Sequence, residues 1–284
     1  EKVMMEKRKS KQIDIGSVKV GGSAPITVQS MTKTDTRDIR ATVEQIAELQ
    51  DCGCEIIRLA VPDIEAARAL AEIKKSVSIP VIADIHFDYR LALASLESGV
   101  DALRLNPGNI GGPDRVKAVV NAAKERQTPI RIGVNFGSLP NDLNESLTVP
   151  QKMVEAAMRH VRLLEELDFY LIKISLKAFD VPDTVAAYRE AASRVPYPLH
   201  VGITEAGTPR QGMIRSAVGI GILLNEGIGD TIRVSLTGHP RDEVYAGYEI
   251  LKSLNLRQRG PVLVSCPTCG RTVGDVAAIA QQVE

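Results

Sequence analysis

Short runs of apolar, often β-branched residues recur along this chain, separated by longer stretches with helical spacing. The runs fall at residues 26–31, 56–61, 80–85, 102–106, 129–134, 171–176, 199–204 and 231–236. Each is followed by a helix-like segment, among them 39–51, 62–75, 113–125, 151–167 and 241–254. Eight strand–helix units in succession predict a closed (β/α)8 barrel rather than an open doubly wound sheet. No Gly-x-Gly-x-x-Gly follows the first strand, which weakens a dinucleotide-binding reading. Pro62 and Pro113 suit a first helical turn, and Asp180 or Asp183 can cap a helix. Before the barrel, Ile13 to Gly22 alternates like a hairpin able to plug the barrel floor. After it, Gln258-Arg259-Gly260-Pro261 reads as a linker. The expected organisation is an arm and hairpin over 1–24, a barrel over 25–257 and a further domain from 258 to 284.

Strand side chains alternate between the helix layer and the barrel axis. In Ile57-Arg58-Leu59, Leu103-Arg104-Leu105, Ile130-Arg131-Ile132, Ile172-Lys173-Ile174 and Ile232-Arg233-Val234 a cation is flanked by aliphatics. The aliphatics suit the helices, so the five cations are expected to face inward. Two residues on, at the same parity, come Asn106, Ser175 and Ser235; the third strand adds Asp84 and His86, and the seventh adds His200 and Thr204. One inward Arg is ordinarily an ion-paired core residue. Five at matched positions would repel and suffer desolvation without a partner. A polyanion, with diphosphate the natural candidate, is therefore the expected ligand. The loop Asn106-Pro107-Gly108-Asn109-Ile110-Gly111-Gly112 fits phosphate but also fits a plain turn.

Of the other histidines, His160 is expected to be a surface or packing residue and His239 a loop residue. Cys54, leading into the second strand, reads as a buried apolar-like thiol at the barrel floor. Cys266-Pro267-Thr268-Cys269 offers two thiolates at a spacing that suits zinc or an iron–sulfur cluster. Nothing after Gly270 is Cys or His, so the expectation is half of a metal site in a C-terminally truncated chain. Lys plus Arg and Asp plus Glu both total 35, so no global field recruits nucleic acid or an anionic membrane. The charged start lacks a signal-peptide core, and the most apolar stretch, residues 218–224, is too short and Gly-broken to span a bilayer. A cytoplasmic location with reduced thiols is expected.

Together these residues resemble the 4-hydroxy-3-methylbut-2-enyl diphosphate synthase family of the non-mevalonate isoprenoid pathway. The resemblance runs from about Ile13 to the end. It rests on Val28-Gln29-Ser30-Met31-Thr32, Ala83-Asp84-Ile85-His86-Phe87-Asp88, the loop from Leu105 to Gly111, Gly133-Val134-Asn135 and Lys173-Ile174-Ser175. His200-Val201-Gly202-Ile203-Thr204-Glu205-Ala206-Gly207, Arg233-Val234-Ser235-Leu236 and the Cys266–Cys269 motif complete it. The resemblance implies an iron–sulfur oxidoreductase that reductively opens and dehydrates 2-C-methyl-D-erythritol 2,4-cyclodiphosphate. It implies phosphate contacts from Arg58, Arg104, Arg131 and Lys173, with Asn106, Asn135, Arg233 and Ser235 nearby. It makes Glu205 the proton donor, and Cys266 and Cys269 two ligands of a [4Fe-4S] cluster whose other ligands the chain lacks. Flavodoxin or ferredoxin is the implied electron donor, and a homodimer the implied full-length assembly. A truncated chain is expected to be inactive by itself. Two readings compete: a pterin-diphosphate barrel of dihydropteroate synthase type, and a non-catalytic diphosphate-binding barrel with a zinc-ribbon remnant.

Overall fold

The computed structural model describes residues 6–283. A hairpin of β1 (Ile13–Ile15) and β2 (Val18–Val20) comes first. Eight parallel strands follow: β3 (Thr27–Met31), β4 (Ile56–Ala60), β5 (Val81–Asp84), β6 (Ala102–Leu105), β7 (Ile130–Asn135), β8 (Ile172–Lys177), β9 (His200–Val201) and β10 (Thr231–Ile232). Strands β3 to β8 neighbour one another in chain order, and β10 lies between β3 and β9. A bridge from Ile174 to Leu199 sets β8 beside β9, and the sheet closes on itself. Outside it run α1 (Ile39–Asp51), α2 (Ile64–Ser76), α3 (Tyr89–Glu97), α4 (Pro113–Glu125), α5 (Val149–Glu165), α6 (Val181–Arg194), α7 (Pro209–Asn225) and α8 (Pro240–Ser253). This is the (β/α)8 barrel that the alternation predicts.

Some boundaries move for local chemical reasons. Pro62 lies outside α2, because the Asp63 carboxylate accepts from Ala66 N and starts the helix at Ile64. Thr148 and Gln151 form a reciprocal cap, so α5 begins at Val149 rather than at 151. His239 is not a plain loop residue; its ring accepts from Arg241 N and caps α8. The last two strands keep only two ladder residues each, where six were expected. Their upper halves leave the ladder to form the mouth of the barrel.

Parity sorts the interior into layers. Ile57, Leu59, Leu103, Leu105, Ile130, Ile132, Ile172, Ile174, Ile232 and Val234 all join the core between sheet and helices. At the floor, Ile56, Ile82 and Ala102 point inward and pack on Ile13, Ile15 and Val20 of the hairpin. Above that apolar floor the axis turns cationic. Arg104, Arg131 and Lys173 are directly in register on β6, β7 and β8. The Tyr188 hydroxyl of α6 accepts from Leu176 N and donates to the His200 carbonyl, tying β8 to β9 behind them. No helix among the described residues is long and apolar enough to cross a membrane.

Candidate functional site

A cavity of about 100 Å³ opens at the C-terminal ends of the strands, where barrel active sites form. Arg58, Asp84, His86, Arg104, Arg131, Asn135, Ser175, Thr204, Arg233 and Ser235 line it, together with Lys177. Larger depressions lie beside α5 and along α8, but this small cup gathers the inward side chains of the strands.

Asp84 is the organising carboxylate. It lies 3.5 Å from Arg58, 3.3 Å from Arg104 and 3.6 Å from His86 Nε2. Burial alone would raise its carboxyl, but Arg58, the His86 contact and Arg104 outweigh that and hold it below the usual carboxylate range. Arg104 lies across β7, donating to the Gly133 carbonyl at 3.0 Å. A Cβ at Gly133 would stand 2.5 Å from Arg104 Nε, so only glycine allows this crossing. The Met31 thioether sits against Arg58, 2.9 Å from Nη2, and 3.7 Å from Arg233 Nη1.

The remaining cations are under-compensated. Arg131 is 2% exposed and spends Nη1 on Ser175 at 3.1 Å, while its Nε and Nη2 have no partner. Lys173 Nζ and Arg233 Nε are likewise buried without partners. Burial pushes Arg131, Lys173 and Lys177 well below their ordinary values, and neighbouring cations push in the same direction. Arg58 is pushed down to about 10, chiefly by burial, although Asp84 opposes the shift. The second carboxylate is Glu243 of α8, which faces Arg233 at 3.4 Å and Lys33 at 3.1 Å and accepts from Leu236 N. Arg58, Arg104, Arg131, Lys177 and Arg233 thus share two carboxylates, and Lys173 also feels Asp230, which is itself ion-paired with Lys7 and Arg8.

Four expected site residues lie outside the cavity lining. The Asn106 carboxamide exchanges two 2.9 Å hydrogen bonds with the Gly133 backbone, so it holds β6 to β7. Lys173 lies one layer deeper than Ser175. His200 is fully buried, its Nδ1 2.7 Å from Thr231 Oγ1, and burial, reinforced by neighbouring cations, pushes the ring well below its ordinary value. Glu205 stands exposed on the rim in a left-handed backbone conformation (φ 53°), directly after the cavity-lining Thr204.

Lys177, Glu243 and an aromatic rim escaped the sequence reading. Lys177 continues the β8 parity set by Lys173 and Ser175, so alternation could have found it. Phe87, Phe136 and Phe179 are 73%, 50% and 51% exposed and follow β5, β7 and β8, which places them around the mouth. Away from the mouth, Cys54 is buried and its thiol is pushed up to about 12 by desolvation. His160 is packed beside Gly108, and burial lowers its ring to about 4.

Cys266 and Cys269 are free and exposed, in a segment without regular structure between α8 and α9 (Val276–Val283). Hydrogen bonds from Arg271, backbone before side chain, hold the Cys269 thiol below its ordinary value. The described residues contain no group of three or more His, Cys, Asp or Glu side chains placed to share a metal. Two thiolates fit part of a cluster's ligand set and no more.

Fold and cup define a (β/α)8 barrel whose strand ends gather buried cations around a small cavity. Residues 10–248 match the family described as the GcpE TIM-barrel domain. A 4-hydroxy-3-methylbut-2-en-1-yl diphosphate synthase (flavodoxin) of Dehalococcoides mccartyi is 69% identical over 99% of this chain and 81% of its own length. The enzyme of the same name from Geobacter sulfurreducens is 62% identical over 98% of this chain and 79% of its own. The chain belongs to the 4-hydroxy-3-methylbut-2-enyl diphosphate synthase family. Among solved structures, dihydropteroate synthase from Stenotrophomonas maltophilia superposes with a TM-score of 0.64 at 15% identity, over 87% of this chain and 97% of that one. That likeness shows the barrel alone.

Proposed function

We propose that the cup binds 2-C-methyl-D-erythritol 2,4-cyclodiphosphate for its reductive opening and dehydration to 4-hydroxy-3-methylbut-2-enyl diphosphate. Two electrons and two protons enter and one water leaves. The observation that carries this reading is the unpartnered nitrogens of Arg131 and Arg233 in the cup, and of Lys173 beneath it, where carboxylates are too few. An anion with two charged phosphate groups supplies what those nitrogens lack. The cavity holds about three waters' volume, so it suits the phosphate groups and leaves the carbon skeleton above them, at the rim.

Within this reading, Arg58, Arg104, Arg131, Lys177 and Arg233 contact phosphate, while Lys173 acts from beneath. Asn135, Ser175, Thr204 and Ser235 are the neutral groups of the lining and orient the ligand. Asp84 does not touch phosphate; it aims Arg58 and Arg104, which the Met31 thioether and the Gly133 carbonyl also help to hold. His86 stands beside it at the mouth. Glu205, on the rim next to Thr204, is the proposed proton donor, and it must turn inward over the ligand to act. Asn106 and His200 shape the cup by holding its strands.

The family resemblance implies an iron–sulfur cofactor, which supplies the electrons. Its finer form, a [4Fe-4S] cluster, would draw on Cys266 and Cys269, and the described residues offer no third donor beside them. Flavodoxin, named with the relatives, is the proposed electron donor, and a homodimer the proposed assembly. The aromatic rim gives a covering partner an apolar seat that would exclude water from the cup.

The test is a calorimetric titration of the protein with the cyclic diphosphate. Saturable one-to-one binding is expected. Absence of saturable heat up to millimolar ligand would sink the assignment.

A further inference from the structure

At the level of the cup the barrel axis is furnished in an unusual way. Strands β3, β5 and β7 bring Met31, Asp84 and Gly133 there, and Gly202 directly follows β9. The two glycines make way for cations of neighbouring strands. A Cβ at Gly133 would stand 2.5 Å from Arg104 Nε, and one at Gly202 would stand 2.8 Å from Lys177 Nζ. Asp84 brings negative charge. Met31 is the long uncharged side chain of the four, where a barrel axis ordinarily carries branched hydrocarbon.

Met31 joins two ion-paired groups. On one side Glu243 holds Arg233, with 3.4 Å between them. On the other, Asp84 lies 3.5 Å from Arg58 and 3.3 Å from Arg104. The Met31 sulfur stands between the groups, 2.9 Å from Arg58 Nη2, 3.3 Å from Arg58 Nε and 3.7 Å from Arg233 Nη1. Strand order explains the meeting: β3 lies between β4, which carries Arg58, and β10, which Arg233 directly follows. The two guanidiniums repel, and Arg233 is among the charges that push Arg58 down. A thioether is a weak acceptor without charge. A carboxylate in its place would neutralise a cation that the ligand needs, and a hydrocarbon would leave Arg58 without that acceptor. Methionine is the apolar side chain that can order two like charges and leave both open to an anion.

We propose that Met31 is a positioning residue: it fixes the spacing of Arg58 and Arg233, and through that spacing the cup selects an anion with two linked phosphate groups over one with a single phosphate. Linked phosphates keep a set separation, so they gain from two cations already held apart. A lone phosphate can follow either guanidinium wherever it lies. The proposal rests on the diphosphate reading of the cup and deepens it by naming a residue that sets the preference without supplying counter-charge.

Titration of the whole chain with pyrophosphate and with orthophosphate, at one pH and ionic strength, tests it. The wild type is expected to favour pyrophosphate. Met31→Leu keeps the volume and removes the acceptor. It is expected to weaken pyrophosphate binding about tenfold and orthophosphate binding less than about twofold, with little change in melting temperature. Met31→Gln, with a neutral acceptor at similar reach, is expected to regain most of the preference. A side chain that merely packs would neither separate the two anions nor be replaced by a polar amide. The glutamine variant also decides the matter if the leucine variant loses its fold, since a folded Met31→Gln without the preference overturns the inference. An unchanged ratio of the two affinities in a folded Met31→Leu would overturn it as well and leave the diphosphate reading standing. A wild type with no preference for pyrophosphate would overturn the inference together with the diphosphate reading beneath it.

Discussion

At the barrel mouth, Arg131 and Lys173 are almost wholly buried and fixed by adjoining strands, with nitrogens that have no partner. Beyond α8, Cys266 and Cys269 stand exposed, and Val264 and Val273 near them are 89% and 97% exposed. Each region holds chemistry its surroundings do not complete. The cup has the rigidity of a finished site and lacks only counter-charge. The thiol segment has reactive groups but no packing that fixes their geometry. A preorganised site gains affinity because its ordering is already done, so the cup is expected to bind its anion whether or not the cysteines hold anything.

The largest expected effect falls on turnover. In a cluster-bearing preparation, Glu205→Gln should lower turnover by about 10²–10⁴-fold with near-normal affinity for the cyclic diphosphate. If affinity shifts while turnover per bound ligand holds, Glu205 is an electrostatic spacer and the catalytic role moves elsewhere. Next comes Arg131→Met. Its loss should weaken diphosphate binding by about 2–4 kcal/mol, while the ligand-free protein becomes no less stable, because a buried cation with two unpartnered nitrogens is removed. Parallel losses of binding and of stability would mean that Arg131 is ordinary core and break the contrast.

A smaller effect concerns pH. Burial lowers Lys173 and Lys177 in the native state, so between their native values and about 10.4 the unfolded chain binds protons that the native chain does not. Ligand-free stability from these groups is therefore present above about 10.4 and is lost as pH falls through that window. Lys177→Met should flatten the slope in chemical denaturation measured across that range, and an unchanged slope would show Lys177 to be charged already. The smallest effect is expected at the other region. Cys266→Ser with Cys269→Ser should change barrel stability by less than about 0.5 kcal/mol and leave diphosphate affinity intact, while iron retention falls. A large loss of affinity would show that the thiol segment helps to build the cup.

Much of this barrel is legible in the sequence because a period of two survives in each strand. Every inward cation is bracketed by aliphatics that the helix layer demands, and one parity therefore fixes Arg58, Arg104, Arg131, Lys173 and Arg233 together. Lys177 needed only the same rule carried two residues further. What parity cannot supply is depth and partnership. Asn106 and His200 have the right parity, but Asn106 is spent on Gly133 of the next strand and His200 lies below the cavity. Glu243 reaches Arg233 from a helix, and the three rim phenylalanines come from three separate loops. These meetings are made by closing the barrel, which no local pattern encodes.

The central claim is that the cup is a set of buried cations awaiting a polyanion. The most direct measurement is the number of protons taken up when the cyclic diphosphate binds, from calorimetry in buffers of different ionisation enthalpy. Both phosphate groups of that ligand are diester-like and do not titrate near neutral pH, so any uptake belongs to the protein. The account predicts net uptake at alkaline pH, as the depressed lysines regain their protons beside the ligand, and less uptake in Lys177→Met. Binding with no uptake, or with proton release, would contradict it.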